Sequence, residues 1–149
     1  MIRLVVALCV MAMLSACFGG GNLDAYRYYS KSHGVYIANT GVDTSCMTPK
    51  LKAAIGQIER HFGRKVVVSS GYRNVFHNAK VGGADNSFHT KCMAADIFIP
   101  GVPKGKLIRY AMGVDRVGGL GCYPGRTFIH IDVRNRPKGW RRPVTFSGC

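Results

Sequence analysis

The chain has 149 residues, and its 21 Lys and Arg residues against 7 Asp and Glu give a formal charge of +14. The length predicts one domain with a real core, and a hydrophobic content of 47% excludes a disordered or collagen-like chain. The positive charge indicates an anionic neighbour without identifying it. Because the basic residues are scattered from Arg27 to Arg142 without an aromatic platform motif, we expect no nucleic-acid partner.

The first residues have the pattern of an export signal. Met1-Ile2-Arg3 is a short positive region, and Leu4 to Met13 is an apolar run too short to span a bilayer comfortably. The next four residues, Leu14-Ser15-Ala16-Cys17, resemble the lipobox of bacterial lipoproteins, in which the cysteine is acylated and the peptide is cut before it. The alternative is an ordinary secretory signal with a chance cysteine. We expect a lipoprotein signal peptide over 1–16, lipid on Cys17, and a protein exported to the cell envelope and held at a bacterial membrane.

Four cysteines remain after the signal peptide and the lipidated residue: Cys46, Cys92, Cys122 and Cys149. An oxidising compartment favours two disulfides, for which three pairings are possible. A cysteine-type zinc site is the rival, but the chain has no CxxC and its cysteines are spaced too widely for one. We predict the pairs Cys92–Cys122 and Cys46–Cys149.

The chain after Cys17 divides into two parts. Residues 17–45 are expected to form a lipidated tether and an irregular N-terminal arm, and 46–149 the folded domain. Thr48 and Pro49 have the residue types of a helix N-cap and first turn, and Gly63 is a typical helix end. Between them, apolar residues recur at helical spacing at Leu51, Ile55, Ile58 and Phe62.

The remaining elements alternate between short strands and helices. In chain order we predict a strand over Lys65–Ser69, a loop or short helix over Gly71–Gly83, a strand over Ala94–Ile99, a helix over Pro103–Met112, a strand or turn over Val117–Tyr123, a strand over Thr127–Val133, and a basic surface tail over Arg134–Cys149. This order predicts an α+β fold, with a small, mostly antiparallel sheet and flanking helices.

Two of these strands carry polar residues on one face. In the last strand, Ile129, Ile131 and Val133 suit the core, which leaves His130 and Asp132 on the opposite face. In the Ala94–Ile99 strand, the same alternation places Asp96 on the face opposite the apolar residues of that strand. His89 precedes Asp96 by a few residues. Two histidines and an aspartate can bind zinc and leave a fourth position for water. The alternative is a solvated polar face with a hydrogen-bonded His–Asp pair.

Four segments resemble the zinc D-Ala-D-Ala peptidases, peptidase family M15, and most of all their small single-domain cell-wall branch. The segments are Ser69-Ser70-Gly71-Tyr72-Arg73, His77-Asn78-Ala79-Lys80-Val81-Gly82-Gly83, Ser87-Phe88-His89 with Ala94 and Asp96, and Phe128-Ile129-His130-Ile131-Asp132-Val133-Arg134. The resemblance covers about Val66 to Arg134. It implies the zinc fold that this family shares with hedgehog signalling domains.

The resemblance also implies roles for individual residues. It makes His89, Asp96 and His130 the zinc ligands. It places Arg73 where the family holds substrate oxygens, which makes Arg73 a catalytic and substrate-binding residue. Ser87, beside the first ligand, and Tyr72 are expected to bind substrate as well, and Tyr72 and Tyr123 to line the cleft.

The sequence departs from the family pattern at two positions. Many members carry the general base three residues before the last histidine, where this chain has Thr127, so we select Asp132 as the base from its strand position. Much of the family has Gly where this chain has Cys92, three residues after the first histidine.

The function implied by the resemblance is a zinc-dependent peptidoglycan peptidase, either a D,D-carboxypeptidase or an endopeptidase. It would act on peptides of peptidoglycan as a monomer anchored to a membrane by its lipid, with Zn²⁺ as its cofactor. The alternative is a non-catalytic lipoprotein of the same fold that binds metal and the cell wall, which a missing base would favour.

Overall fold

The computed structural model describes residues 23–149. The expected signal peptide and the expected lipidation site, Cys17, lie outside the described residues. Within 23–149, no helix has both the length and the apolar character needed to cross a membrane.

Seven strands and three α-helices make up the described chain. The helices are α1 (Pro49–Phe62), α2 (Val75–Lys80) and α3 (Lys104–Ala111). The strands are β1 (Ser30–Ser32), β2 (Val35–Ile37), β3 (Val67–Ser70), β4 (Ala94–Phe98), β5 (Gly119–Gly121), β6 (Ile129–Asp132) and β7 (Val144–Phe146).

The strands form one sheet in the order β1-β2-β3-β4-β6-β5-β7. All neighbouring pairs are antiparallel except β2 with β3 and β5 with β7. The prediction of an α+β fold with a mostly antiparallel sheet is therefore confirmed. The arm over 17–45 is not wholly irregular, because it contains β1 and β2, and the tail supplies β7 as an edge strand.

Helix α1 begins and ends where the sequence predicts. The Thr48 side chain accepts a hydrogen bond from the backbone N–H of Leu51, and Pro49 occupies the first turn. Gly63 ends the helix with φ 59°, a left-handed conformation that costs glycine little.

The core lies on one face of the sheet. It contains the apolar face that the alternation predicts for β4 and β6, made of Ala95, Ile97, Ile99, Ile129, Ile131 and Val133. The buried side of α1 packs in the same core with Leu51, Ile55 and Ile58. Burying a side chain as large as Ile contributes about 1.5–3 kcal/mol, so this face fixes the register of the two strands. The polar residues of the same strands must then share the other face.

The disulfides join Cys46 to Cys92 and Cys122 to Cys149. The prediction of two disulfides is confirmed, but the predicted pairing is wrong. The backbone N–H of Thr48 donates to the carbonyl of Cys92 at 3.1 Å, which brings the segment before α1 beside that cysteine. Strand β7 pairs with β5, so the chain end that follows β7 lies next to Cys122.

Candidate metal centre

The pairing of β4 with β6 places two predicted ligands side by side. Asp96 is directly opposite His130 in the register, and Ala94 is opposite Asp132. Residues opposite each other on adjacent antiparallel strands point to the same face. The expectation that Asp96 and His130 share a surface is met, although that surface is buried rather than solvated.

His89 reaches this face from a 3-10 turn, Phe88–Lys91. The hydroxyl of Ser87 caps the turn by accepting from the backbone N–H of His89 at 3.3 Å. The His89 Nδ1 atom lies 2.6 Å from the carbonyl oxygen of Gly71. Position 71 requires glycine, because a Cβ there would collide with the carbonyl of Asp43. Ser87 therefore acts locally, by fixing the turn that presents His89.

Three side-chain atoms meet in a near-equilateral triangle. His89 Nε2 is 3.1 Å from His130 Nδ1 and 3.2 Å from Asp96 Oδ1, and His130 Nδ1 is 3.1 Å from the same oxygen. All three residues are buried. Ligands 2.0–2.2 Å from a tetrahedral zinc ion are about 3.3–3.6 Å apart, so the triangle approximates one face of such a site.

Each imidazole also contacts a group outside the triangle, and these contacts determine which ring nitrogens carry protons. A carbonyl oxygen only accepts, so His89 Nδ1 donates to Gly71 and His89 Nε2 presents a lone pair. His130 Nε2 lies 3.2 Å from Asp132 Oδ2 and donates to it, which leaves His130 Nδ1 as an acceptor. Three acceptors thus face one another. A cation between them removes their repulsion, and this donor set fits zinc.

The pKa shifts show the same demand for positive charge. Burial by itself would raise the pKa of Asp96, but the adjacent imidazoles of His130 and His89 hold it well below its usual value. Burial would lower the pKa of His130, whereas hydrogen bonds to Asp132 and Asp96 raise it overall. Both shifts favour positive charge at this position.

Arg73 contacts the outer oxygen of Asp96. Its Nη2 atom donates to Asp96 Oδ2 at 2.7 Å, and its Nε atom donates to Ser70 Oγ at 2.8 Å. These bonds fix the guanidinium plane. They leave further N–H groups free to donate, because a guanidinium carries five.

Asp132 lies behind His130 and is fully buried. Its oxygens accept from His130 Nε2 and from the backbone N–H, Nε and Nη2 of Arg134. Burial would raise the pKa of Asp132, but the hydrogen bonds from His130 and Arg134 lower it to about 2. With its oxygens occupied, Asp132 is badly placed to take a proton from water, so the geometry does not support our choice of it as the general base.

Arg134 was not singled out from the sequence. Its guanidinium carbon lies 4.3 Å from the ring centroid of Phe88 and 5.4 Å from that of Phe146, so the pair with Asp132 is held between aromatic side chains. The alternation that links His130 to Asp132 continues to Arg134 and indicates that Arg134 lies on the same face.

A cleft of about 380 Å³ opens beside Asp96. Three segments line it: Ser69, Ser70 and Arg73; Val81, Gly82 and Gly83; and Tyr123, Arg126 and Phe128. Tyr72 is not part of this lining; its backbone N–H instead donates to the carbonyl of Asp43 at 2.7 Å. Tyr123, the other tyrosine expected at the cleft, is among the lining residues.

The fold and the site agree with one protein family. The family model described as Peptidase M15 matches residues 31–132, which is more than half of the chain. The chain therefore belongs to peptidase family M15.

Curated relatives of the matched region are peptidoglycan endopeptidases. Peptidoglycan L,D-endopeptidase MepK of Escherichia coli strain K12 is 36% identical over 75 residues, which cover 47% of this chain and 41% of the relative. The Shigella flexneri protein of that name gives the same figures. Probable peptidoglycan L,D-endopeptidase MepK of Haemophilus influenzae is 37% identical over 95 residues, covering 58% of this chain and 50% of the relative. The chain spans half or less of the length of these relatives.

Proposed function

We propose that this protein is a zinc-dependent peptidase that hydrolyses peptide bonds of peptidoglycan, with the L,D-endopeptidase activity named for its relatives. The observation that carries the proposal is the triangle of three buried acceptor atoms beside a cleft. Family membership supports the hydrolytic activity, and the donor set supports the metal.

His89, Asp96 and His130 would hold the zinc ion. When bound, zinc supplies Lewis acidity and lowers the pKa of water toward about 7. The carbonyl of Gly71 and the carboxylate of Asp132 fix the two imidazoles in the tautomers that present lone pairs. Arg73 holds Asp96 in its orientation, and the unused N–H groups of Arg73 can bind the oxygen on which negative charge develops.

A second function, non-catalytic binding of the cell wall, is favoured by one observation. Within residues 23–149, Asp132 is the one further carboxylate that hydrogen-bonds to a residue of the triangle. The oxygens of Asp132 already accept from His130 and Arg134, so Asp132 is badly placed to act as a general base. Such a protein would keep the metal and the cleft but would not turn over substrate.

Digestion of purified peptidoglycan distinguishes the two functions. We expect the wild-type protein to release muropeptides, a chelator to stop the release, and added zinc to restore it. His89→Ala should abolish the release, whereas His77→Ala, which changes an exposed histidine of α2, should not. Metal binding by the wild type without any release would establish the binding function instead.

We also propose that the protein is an exported lipoprotein acylated on Cys17, with its folded part in the cell envelope. The two disulfides support export, because such bonds persist in oxidising compartments. Growth with a labelled fatty acid should label the wild-type protein but not Cys17→Ala. Equal labelling of both would contradict lipidation at Cys17.

A further inference from the structure

A rigid turn between β5 and β6 presents an unpaired arginine to the cleft. The backbone N–H of Arg126 donates to the carbonyl of Tyr123 at 3.1 Å, which closes the turn. Both residues line the cleft. Within residues 23–149, no acceptor or carboxylate is bonded to the guanidinium of Arg126, so its donors remain available.

Three attachments hold this turn in place. Lys104 Nζ donates to the carbonyls of Tyr123 at 2.7 Å and Arg126 at 2.8 Å. The backbone N–H of Tyr123 donates to the carbonyl of Ser147 at 2.7 Å, and the preceding residue is tied to the chain end by the Cys122–Cys149 disulfide. The surrounding contacts therefore fix the backbone that carries Arg126.

Tyr123 has a backbone conformation that its side chain disfavours. Its φ of 46° lies in the left-handed region, where a bulky residue is strained. Such strain persists where the surrounding structure enforces it, and it is concentrated at sites that bind ligands. The strain and the attachments together indicate that the turn holds the side chains of Tyr123 and Arg126 at the cleft.

The charges of the cleft favour an anionic group. Arg73 follows β3 and Arg126 precedes β6, so the two arginines come from opposite sides of β4, which carries Asp96. Asp96 is the one acidic residue in the lining, and its oxygens already contact Arg73 and the two histidines. The fork of a guanidinium matches a carboxylate, which can accept two parallel hydrogen bonds from it.

We propose that Arg126 is a specificity-determining residue that binds a free carboxylate of the peptide substrate, on the far side of the cleft from Arg73. This inference rests on the proposed peptidase function. The substrate class is a peptide with a free carboxylate close to the cleaved bond, and the same peptide with a carboxamide at that position is a poor substrate.

Matched peptides test this role. The probes are a synthetic crosslinked pair of peptidoglycan stem peptides with free carboxylates and versions in which each carboxylate in turn is a carboxamide. Binding is measured by calorimetry and turnover by chromatography, for wild type, Arg126→Gln, Arg126→Lys and the control Arg60→Gln. The control removes the same charge from an exposed position on α1, outside the cleft lining.

We expect one carboxamide to weaken binding to the wild type and to Arg60→Gln by about tenfold or more, the effect of losing a charge-assisted contact. Arg126→Gln should bind the free and amidated peptides equally and raise KM with little change in kcat. Arg126→Lys should retain part of the discrimination.

Discrimination by Arg126→Gln equal to that of the wild type would overturn the proposal, as would a wild type that does not discriminate. Thermal unfolding identifies any variant that has lost its fold. If the wild type turns over no peptide, the peptidase function fails, but the binding comparison still decides the role of Arg126.

Discussion

Replacing Asp132 by Asn tests whether Asp132 orients the ligand His130 or acts as the general base. Asp132 accepts hydrogen bonds from His130 Nε2 and from three donors of Arg134, and Asn offers these donors one oxygen instead of two. Loss of such an outer contact lowers metal affinity 10- to 100-fold, or about 1.4–2.8 kcal/mol. Removing one partner of a buried ion pair costs about 3–5 kcal/mol. The Arg134 side chain is 25% exposed and can turn to solvent, so we expect a stability loss of about 1–3 kcal/mol.

Zinc affinity, urea unfolding and kcat at saturating zinc measure these effects for Asp132→Asn. The control is Asp115→Asn, which removes an exposed carboxylate outside the site. We expect the zinc affinity of Asp132→Asn to fall and excess zinc to restore much of its kcat. Unchanged zinc affinity together with a kcat that excess zinc does not restore would refute the orienting role and show that Asp132 is the base.

Two further predictions concern the disulfides and the effect of pH. The variant Cys46→Ala/Cys92→Gly should lose up to about 4 kcal/mol in urea unfolding, because the opened loop is long, yet keep its zinc affinity. Glycine suits position 92 because φ there is 58°; a large loss of zinc affinity would show that the bond shapes the site. Zinc affinity should fall as pH decreases through neutrality, since the raised pKa of His130 favours a proton that zinc must displace. An affinity that does not change between pH 8 and pH 6 would contradict that competition.

The central part of the fold can be predicted from the sequence because it has strong periodic patterns. Helix α1 carries apolar residues at helical spacing between two recognisable caps. Strand β6 alternates strictly between apolar and polar residues, and β4 carries Asp96 between two apolar neighbours. Strands β1, β2 and β7 have three residues each, too few to show an alternation. They exist because neighbouring strands supply hydrogen-bond partners, and the sequence does not contain that information locally.

The same distinction holds for the site. The alternation in β4 and β6 brings Asp96 and His130 together, and the family pattern adds His89. The surroundings of Asp132 depend on how Arg134 folds back between two aromatic rings, and the pairing of Cys122 with Cys149 depends on where β7 adds to the sheet. Contacts of this kind arise from tertiary packing, so the sequence alone predicts neither the correct disulfide pairing nor that the oxygens of Asp132 are occupied.

Zinc stoichiometry tests the central claim most directly. We predict that the purified wild-type protein and His77→Ala bind one zinc ion per chain, and that His89→Ala and His130→Ala lose this binding while remaining folded. A wild type that binds no zinc, or a His89→Ala variant that binds it as tightly as the wild type, would contradict the assignment of the three side chains to one metal ion.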